Sequence, residues 1–287
     1  AVLEAVKPHE HTLVSPNEKG MISAESIAAA IRPETELVSI QLANNELGTI
    51  QPLRDIAEVV RAERHRRAEV GDVRPIYFHS DASQGLGQVE VHVSRLGVDA
   101  LTINAGKIYG PKQLAALWTD RFVHLSPIVR GGGQERGLRS GTENVAGTVG
   151  FAVAAELAVQ HVGGESKRLR ELRDYLEAEL LAAFPEAIVS GARKKCLSGH
   201  LHISFAGLDA ERLIFALEKE GVYVATGSAC AANKGLRSHV LTAIGLPPEV
   251  ADGSLRLTLG RLSTKENTEA AAAILKRVIG AEMERVG

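Results

Sequence analysis

Strand-length apolar runs alternating with helical periodicity constrain this chain more than any other feature of its sequence. Apolar runs at 37–42, 75–80, 99–104 and 114–118 are interleaved with helical patterns at 25–31 and 56–67. Strands separated by helices predict βαβ units and an α/β fold with a mostly parallel sheet flanked by helices. Right-handed crossovers then place the loops that follow the strands along one sheet edge. Asn45, Asp81 and Lys107 each follow such a run, so they are expected to converge there.

A second organisation begins after residue 162. Helix-forming sequence at 145–181, with an expected break at Gly163-Gly164, marks a boundary between a large domain, 1–162, and a smaller C-terminal α+β domain, 163–287. In the latter the patterns predict a strand at 200–205, a helix at 211–220 and a short strand at 222–225. A helix at 239–243, a strand at 254–259 and a closing helix from Thr264 follow.

Composition narrows the function classes. Thirty-three basic against 35 acidic residues leave a net charge of −2, which gives no reason to expect nucleic acid or an anionic membrane as main partner. No apolar run is read as membrane-spanning and no signal peptide is expected. Two cysteines, Cys196 and Cys230, are too few for a disulfide framework or a dense metal site, so no metal is expected and a reducing cytoplasm is the expected compartment.

The chemistry-bearing residues fall in short segments. Asp81-Ala82-Ser83-Gln84 closes one strand, and Gly106-Lys107-Ile108-Tyr109-Gly110-Pro111-Lys112 follows the next. A carboxylate and a lysine at neighbouring strand ends suit pyridoxal 5′-phosphate, the lysine binding its aldehyde and the aspartate its ring nitrogen. A solvated lysine in a Gly-Pro turn and a capping aspartate explain either segment taken alone. Gly227-Ser228-Ala229-Cys230 places a cysteine in a small-residue loop, as for a nucleophile, although free cysteines are usually buried. Cys196, behind Arg193-Lys194-Lys195, reads as incidental, with basic neighbours able to lower its pKa. Arg256, in the alternating run 254–259, shares a face with Ser254 and Thr258, away from the leucines. It suits bidentate capture of a carboxylate, or is an ordinary surface arginine. The glycine-rich stretch 131–142 is either a phosphate-binding backbone or a flexible loop.

Together these segments, with Ala43-Asn44-Asn45-Glu46-Leu47-Gly48 and His79-Ser80-Asp81, resemble the class I (NifS/IscS-type) cysteine desulfurases of the fold-type I, class V aminotransferase family. They occur in family order over essentially the whole chain. The resemblance implies Lys107 as the cofactor-binding lysine, Asp81 on the pyridine nitrogen and Gln84 on the ring's phenolic oxygen. It implies Asn104 as a phosphate donor, Asn45 near the phenolic oxygen and the substrate carboxylate, and Arg256 on that carboxylate. Cys230 becomes the persulfide-forming nucleophile. Thr142 resembles the residue that reaches the phosphate of a neighbouring subunit, implying a homodimer. The implied activity is removal of sulfur from L-cysteine to give L-alanine and an enzyme persulfide, for transfer to an acceptor or scaffold protein in Fe–S cluster or thio-cofactor assembly. Selenocysteine lyase is an alternative, as is an inactive remnant acting as a binding module.

Two departures accompany the likeness. The family usually carries Ser-x-His-Lys where this chain has Asn104-Ala105-Gly106-Lys107, so Gly106 brings no side chain. The family also begins well before the position of Ala1, and the resemblance places a Gly-Ala-Thr phosphate loop and a ring-stacking histidine in that preceding part.

Overall fold

The structure is a computed structural model that describes residues 2–226 and 237–287. The chain forms two compact units. The first comprises 1–12, 24–42 and 52–162; the second comprises 13–23, 43–51 and 163–287. Two segments that precede residue 162, including the one carrying Asn45, therefore belong to the second unit.

The first unit is built on a four-stranded sheet, β1 (Leu37–Gln41), β2 (Tyr77–Asp81), β3 (Ala100–Asn104) and β4 (Ala115–Thr119), in that spatial order. β1, β2 and β3 are parallel, with Gln41 opposite Asp81 and Asp81 opposite Thr102; β4 closes the edge antiparallel to β3. The sheet is thus mostly parallel; α2 (Ala24–Ala30) leads into β1, α3 (Leu53–Glu69) lies between β1 and β2, and α4 (Val93–Leu96) between β2 and β3. Alternation along the strands sends Val38, Phe78 and Leu101 into a core with Leu53, Ile56 and Val60 of α3. α3 ends over a buried arginine: Arg67, 2% exposed, donates to Glu63 and to the carbonyls of Thr35, Arg74, Pro75 and Arg32. A buried guanidinium survives only when its donors are satisfied in this way. Its ion-pair partner Glu63 is held at about 2 by Arg66 first, against burial, with Arg67 adding to the effect.

The second unit packs an antiparallel sheet, β5 (Ile188–Val189), β6 (His200–Ser204) and β7 (Ser254–Thr258), against α6 (Ala210–Lys219) and α9 (Lys265–Val286). Leu201, Ile203, Leu213, Leu217, Leu255, Leu275 and Ile279 form its core. α7 (His239–Ala243) and α8 (Pro248–Ala251) complete it, and α1 (Val2–Val6) lies in the first unit.

Three expectations change. α5 (Val145–Ala183) runs unbroken through Gly163-Gly164; glycine costs a helix only about 1 kcal/mol relative to alanine, and strong helix formers on both sides carry it through. Its second half also packs Leu169, Leu172, Leu176 and Leu180 into buried positions. Against the expectation of no membrane-length run, α5 is long and apolar enough, by length and composition alone, to cross a membrane. Finally, 222–225 is not a strand. Gly221, at φ +79°, ends α6, and the Val222 amide is spent on the Leu217 carbonyl, leaving only an Ala225–Arg256 bridge.

Candidate functional site

The polar face of the first sheet carries the first group of candidates. His79 donates to or accepts from Ser39 Oγ through Nδ1 (2.8 Å) and Thr102 Oγ1 through Nε2 (2.9 Å), tying three parallel strands together. Period-two geometry puts Asp81 on the same face as His79, and Asn104 on the same face as Thr102. All five side chains are half-buried, whereas the opposite face is core. Burial pulls the His79 imidazole below its ordinary value, against the pull of the nearby Asp81 carboxylate.

Asp81 closes β2. Its Oδ1 accepts the Ser83 N–H at 2.9 Å, and Oδ2 has no hydrogen-bond donor among the described residues. Gln84 follows in the same half-buried turn, where its carbonyl accepts from Gln88. At the end of β3 the Asn104 side chain caps a 3₁₀ turn, Ala105–Lys107, by accepting the Gly106 N–H at 2.9 Å. That engages its oxygen and leaves the amide nitrogen as a donor. Ala105 and Ile108, packed with Leu86 and Phe151, anchor the turn on both sides of Lys107. Lys107 itself is exposed and makes no hydrogen bond or ion pair with any described residue. Thr142 lies in an exposed loop of the same unit.

A carboxylate with an open oxygen, an exposed lysine on an anchored turn and an amide donor, all at the C-terminal ends of adjacent parallel strands, fit the two ends and the phosphate of pyridoxal 5′-phosphate. Gly106 offers that phosphate no side chain, and its backbone N–H is already bonded to Asn104 Oδ1.

Asn45 and Arg256 meet in the second unit. Arg256 Nη1 donates to the Asn45 carbonyl at 3.3 Å, while the Asn45 side chain is exposed. The turn bearing Asn45 is stitched into this unit. Asn44 Oδ1 accepts the Glu46 and Leu47 amides, Thr49 Oγ1 donates to Lys19 O and accepts from Ala192 N, and Gln51 bonds to Ile22 N and Gly20 O. Gly48, at φ +73°, sits so close to Cys196 that a Cβ would lie 2.7 Å from its Sγ and 2.7 Å from His200 Cβ.

β7 departs from the expected two-sided pattern. Ser254, expected on the face away from the leucines, is buried and shares a 2.7 Å hydrogen bond with Ser204, since that end of the strand is covered on both faces. Arg256 stays half-exposed. Opposite it on β6 lies His202, 1% exposed, with neither ring nitrogen hydrogen-bonded among the described residues. Burial, and secondarily the Arg256 charge, push its pKa down to about 4. Burial also raises the Cys196 thiol above its ordinary value, with Arg173 opposing and Glu177 assisting, so Cys196 is no low-pKa nucleophile despite its basic neighbours. It borders a cavity of about 610 Å³ with Arg173, Glu177, Arg193 and His202. Cys230 lies outside the described residues.

Sequence reasoning missed Glu46. It is 2% exposed, and its Oε2 accepts the Ser238 hydroxyl at 2.5 Å. Burial raises its pKa, while the Ser238 hydrogen bond and the charges of His239 and Arg256 pull it down. An acid directly before the apolar Leu47 is the signal; its partner, 192 residues away, has none.

A mostly parallel sheet with a lysine and an aspartate at its strand ends, followed by a separate α+β unit, defines the architecture of a fold-type I enzyme. The chain belongs to the class V aminotransferase family, whose profile matches residues 5–270. It is 43% identical over 260 residues to a protein described as cysteine desulfurase IscS 1 of Archaeoglobus fulgidus, covering 91% of this chain and 65% of that one. Among solved structures, it is similar to a NifS-like protein, with a TM-score of 0.85, 30% identity and coverage of 98% of this chain and 71% of that one. It is also similar to SspA in complex with cysteine, with a TM-score of 0.68, 33% identity and coverage of 90% and 68%. The chain spans about two thirds of the length of the curated relatives it matches, 65–66% for the first two.

Proposed function

We propose that this chain carries the catalytic residues of a cysteine desulfurase that uses pyridoxal 5′-phosphate. The observation that carries the reading is the pairing of Asp81, with one carboxylate oxygen unclaimed, and the exposed Lys107 at the ends of adjacent parallel strands. The relatives described as cysteine desulfurases and the SspA–cysteine structure support L-cysteine as substrate.

When bound, the cofactor supplies an electron sink for the carbon that loses its proton. Lys107 would hold its aldehyde, Asp81 its ring nitrogen and Gln84 its phenolic oxygen. Asn104 Nδ2 would face the phosphate, with Thr142 contributing to that of a neighbouring copy. Asp81 would keep the ring nitrogen protonated, because a carboxylate beside a pyridinium favours the charged form. Lys107 Nζ, an exposed amine at this sheet edge, would take and return the α-proton.

Arg256 would bind the substrate carboxylate, with Asn45 beside it. The Cys230 thiolate attacks the substrate sulfur. An S–S bond forms, the substrate C–S bond breaks, and a proton fills the vacated carbon position, so L-alanine leaves and a persulfide stays on Cys230. That persulfide passes to an acceptor protein.

A homodimer and a cytoplasmic location belong to the same reading. Val145, Val149, Val153 and Leu157 form an exposed apolar stripe at four-residue spacing along α5, a face suited to a second copy. The free thiol of Cys196 suits a reducing compartment.

The test is alanine and sulfide production from L-cysteine by the chain loaded with pyridoxal 5′-phosphate, in the presence of dithiothreitol. Lys107→Ala and Cys230→Ser should each lower turnover by about 100-fold or more. Turnover that survives both substitutions contradicts the reading.

A further inference from the structure

Glu46 is used by none of the steps above, and it is nearly sealed from solvent. A buried carboxylate is a poor way to gain stability, since an apolar residue of similar volume usually serves as well. Its surroundings give it another purpose. Ser238 Oγ accepts the Val240 and Leu241 amides at 3.1 and 3.3 Å and donates its own proton to Glu46 Oε2. Ser238 therefore caps α7 while its hydroxyl is locked in direction by the acid. Arg237, the residue before it, makes a bidentate pair with Asp252 at 2.7 and 2.8 Å.

On the other side of 227–236, Ala225 exchanges both backbone hydrogen bonds with Arg256, Arg256 N to Ala225 O at 2.7 Å and Ala225 N to Arg256 O at 3.3 Å. Arg256 in turn donates to the carbonyl of Asn45, the residue next to Glu46. Both flanks of the segment that contains Cys230 thus return to one dipeptide, Asn45-Glu46. Leu47, packed with Leu241, Ile244 and Ala251, fixes that dipeptide against α7.

We propose that Glu46 is a positioning residue: with the Asn45 carbonyl it clasps Ser238 and Arg256, and so sets both flanks of 227–236 relative to the arginine that binds the substrate carboxylate. The proposal rests on the desulfurase reading for its effect on turnover, but the clasp itself is a property of the second unit alone. Its working part is an acceptor oxygen for the Ser238 hydroxyl, which an amide also supplies. A glutamine should therefore restore what an alanine removes.

The experiment compares Glu46→Ala, Glu46→Gln and Ser238→Ala with the parent chain. Three quantities are read: thermal midpoint, amide hydrogen exchange at Val240 and Leu241, and kcat/KM for L-cysteine. Glu46→Ala and Ser238→Ala should raise exchange at those two amides and lower kcat/KM by about tenfold. Glu46→Gln should stay within about threefold of the parent on both. Faster exchange with unchanged kcat/KM in folded Glu46→Ala would leave Glu46 merely structural and overturn the proposal. So would a glutamine variant as impaired as the alanine one. If Glu46→Ala does not fold, the contrast between Ser238→Ala and Glu46→Gln decides the same question. If the parent chain turns over no cysteine, the desulfurase reading fails by itself. The exchange pattern still judges the clasp, which is overturned if Glu46→Ala and Ser238→Ala leave Val240 and Leu241 unaffected.

Discussion

In the first unit, Asp81 is held by the amide of Ser83 and Asn104 holds that of Gly106, each two positions away. In the second, Arg256 reaches Asn45 across 211 positions and Ser238 reaches Glu46 across 192. Both arrangements orient polar side chains, but they tolerate change differently. A turn closed by its own neighbours needs no distant hydrogen-bond partner. A clasp between distant segments stands only if both are packed against a common core, here through Leu47, Leu241 and Ile244.

The largest test of that difference is Gly48→Ala. The residue sits at positive φ, and a Cβ there would collide with Cys196 and His200. Backbone strain and overpacking together should cost about 3 kcal/mol, read as a lower urea midpoint with unchanged m-value. Near-parent stability would mean that the 43–51 turn is held less tightly than its contacts imply.

Acid should loosen the second unit next. His202 has a folded pKa of about 4, below the ordinary histidine value of 6.5. Between these values the unfolded chain binds a proton that the folded chain refuses, so stability is intact above pH 6.5 and falls as pH drops towards 4. The loss should approach about 3 kcal/mol at the lower end, 1.36 kcal/mol for each unit of pKa difference. His202→Asn should flatten the urea-midpoint profile over this window. An unchanged profile would assign the acid sensitivity to other groups.

The smallest effect belongs to the locally built turn. At Gly106 φ is not positive, and an added Cβ would meet only Asn104 Oδ1, at 3.2 Å. Gly106→Ala should therefore change stability by no more than about 1 kcal/mol, with the loss of chain entropy in the unfolded state offsetting the tight contact. A loss as large as that at Gly48 would erase the distinction between the two units.

The same difference explains what could be read in the sequence. The apolar runs before Asp81 and Lys107 became β2 and β3, with strand ends within about two residues of the expected ones, because period-two burial and turn chemistry are local signals. The parallel register that brings Asp81 opposite Thr102 follows from the βαβ alternation. By contrast, the sequence shows no role for Glu46, since its partner lies 192 positions away. The 222–225 run has β-forming composition, but Gly221 closes α6 and takes the Val222 amide. Gly163-Gly164 reads as a break only if the packed leucines that follow are ignored. Alternation puts Ser254 on the outer face, and only the tertiary structure shows that face covered.

The central claim is that Lys107 is the lysine that takes pyridoxal 5′-phosphate. The most direct measurement is to mix the purified chain with the cofactor, reduce with sodium borohydride and map the phosphopyridoxyl group by peptide mass spectrometry. The account predicts a group fixed on Lys107, and a marked loss of labelling when Asp81→Ala removes the partner of the ring nitrogen. Label spread over other exposed lysines at the level seen on Lys107, or none on Lys107, would contradict it.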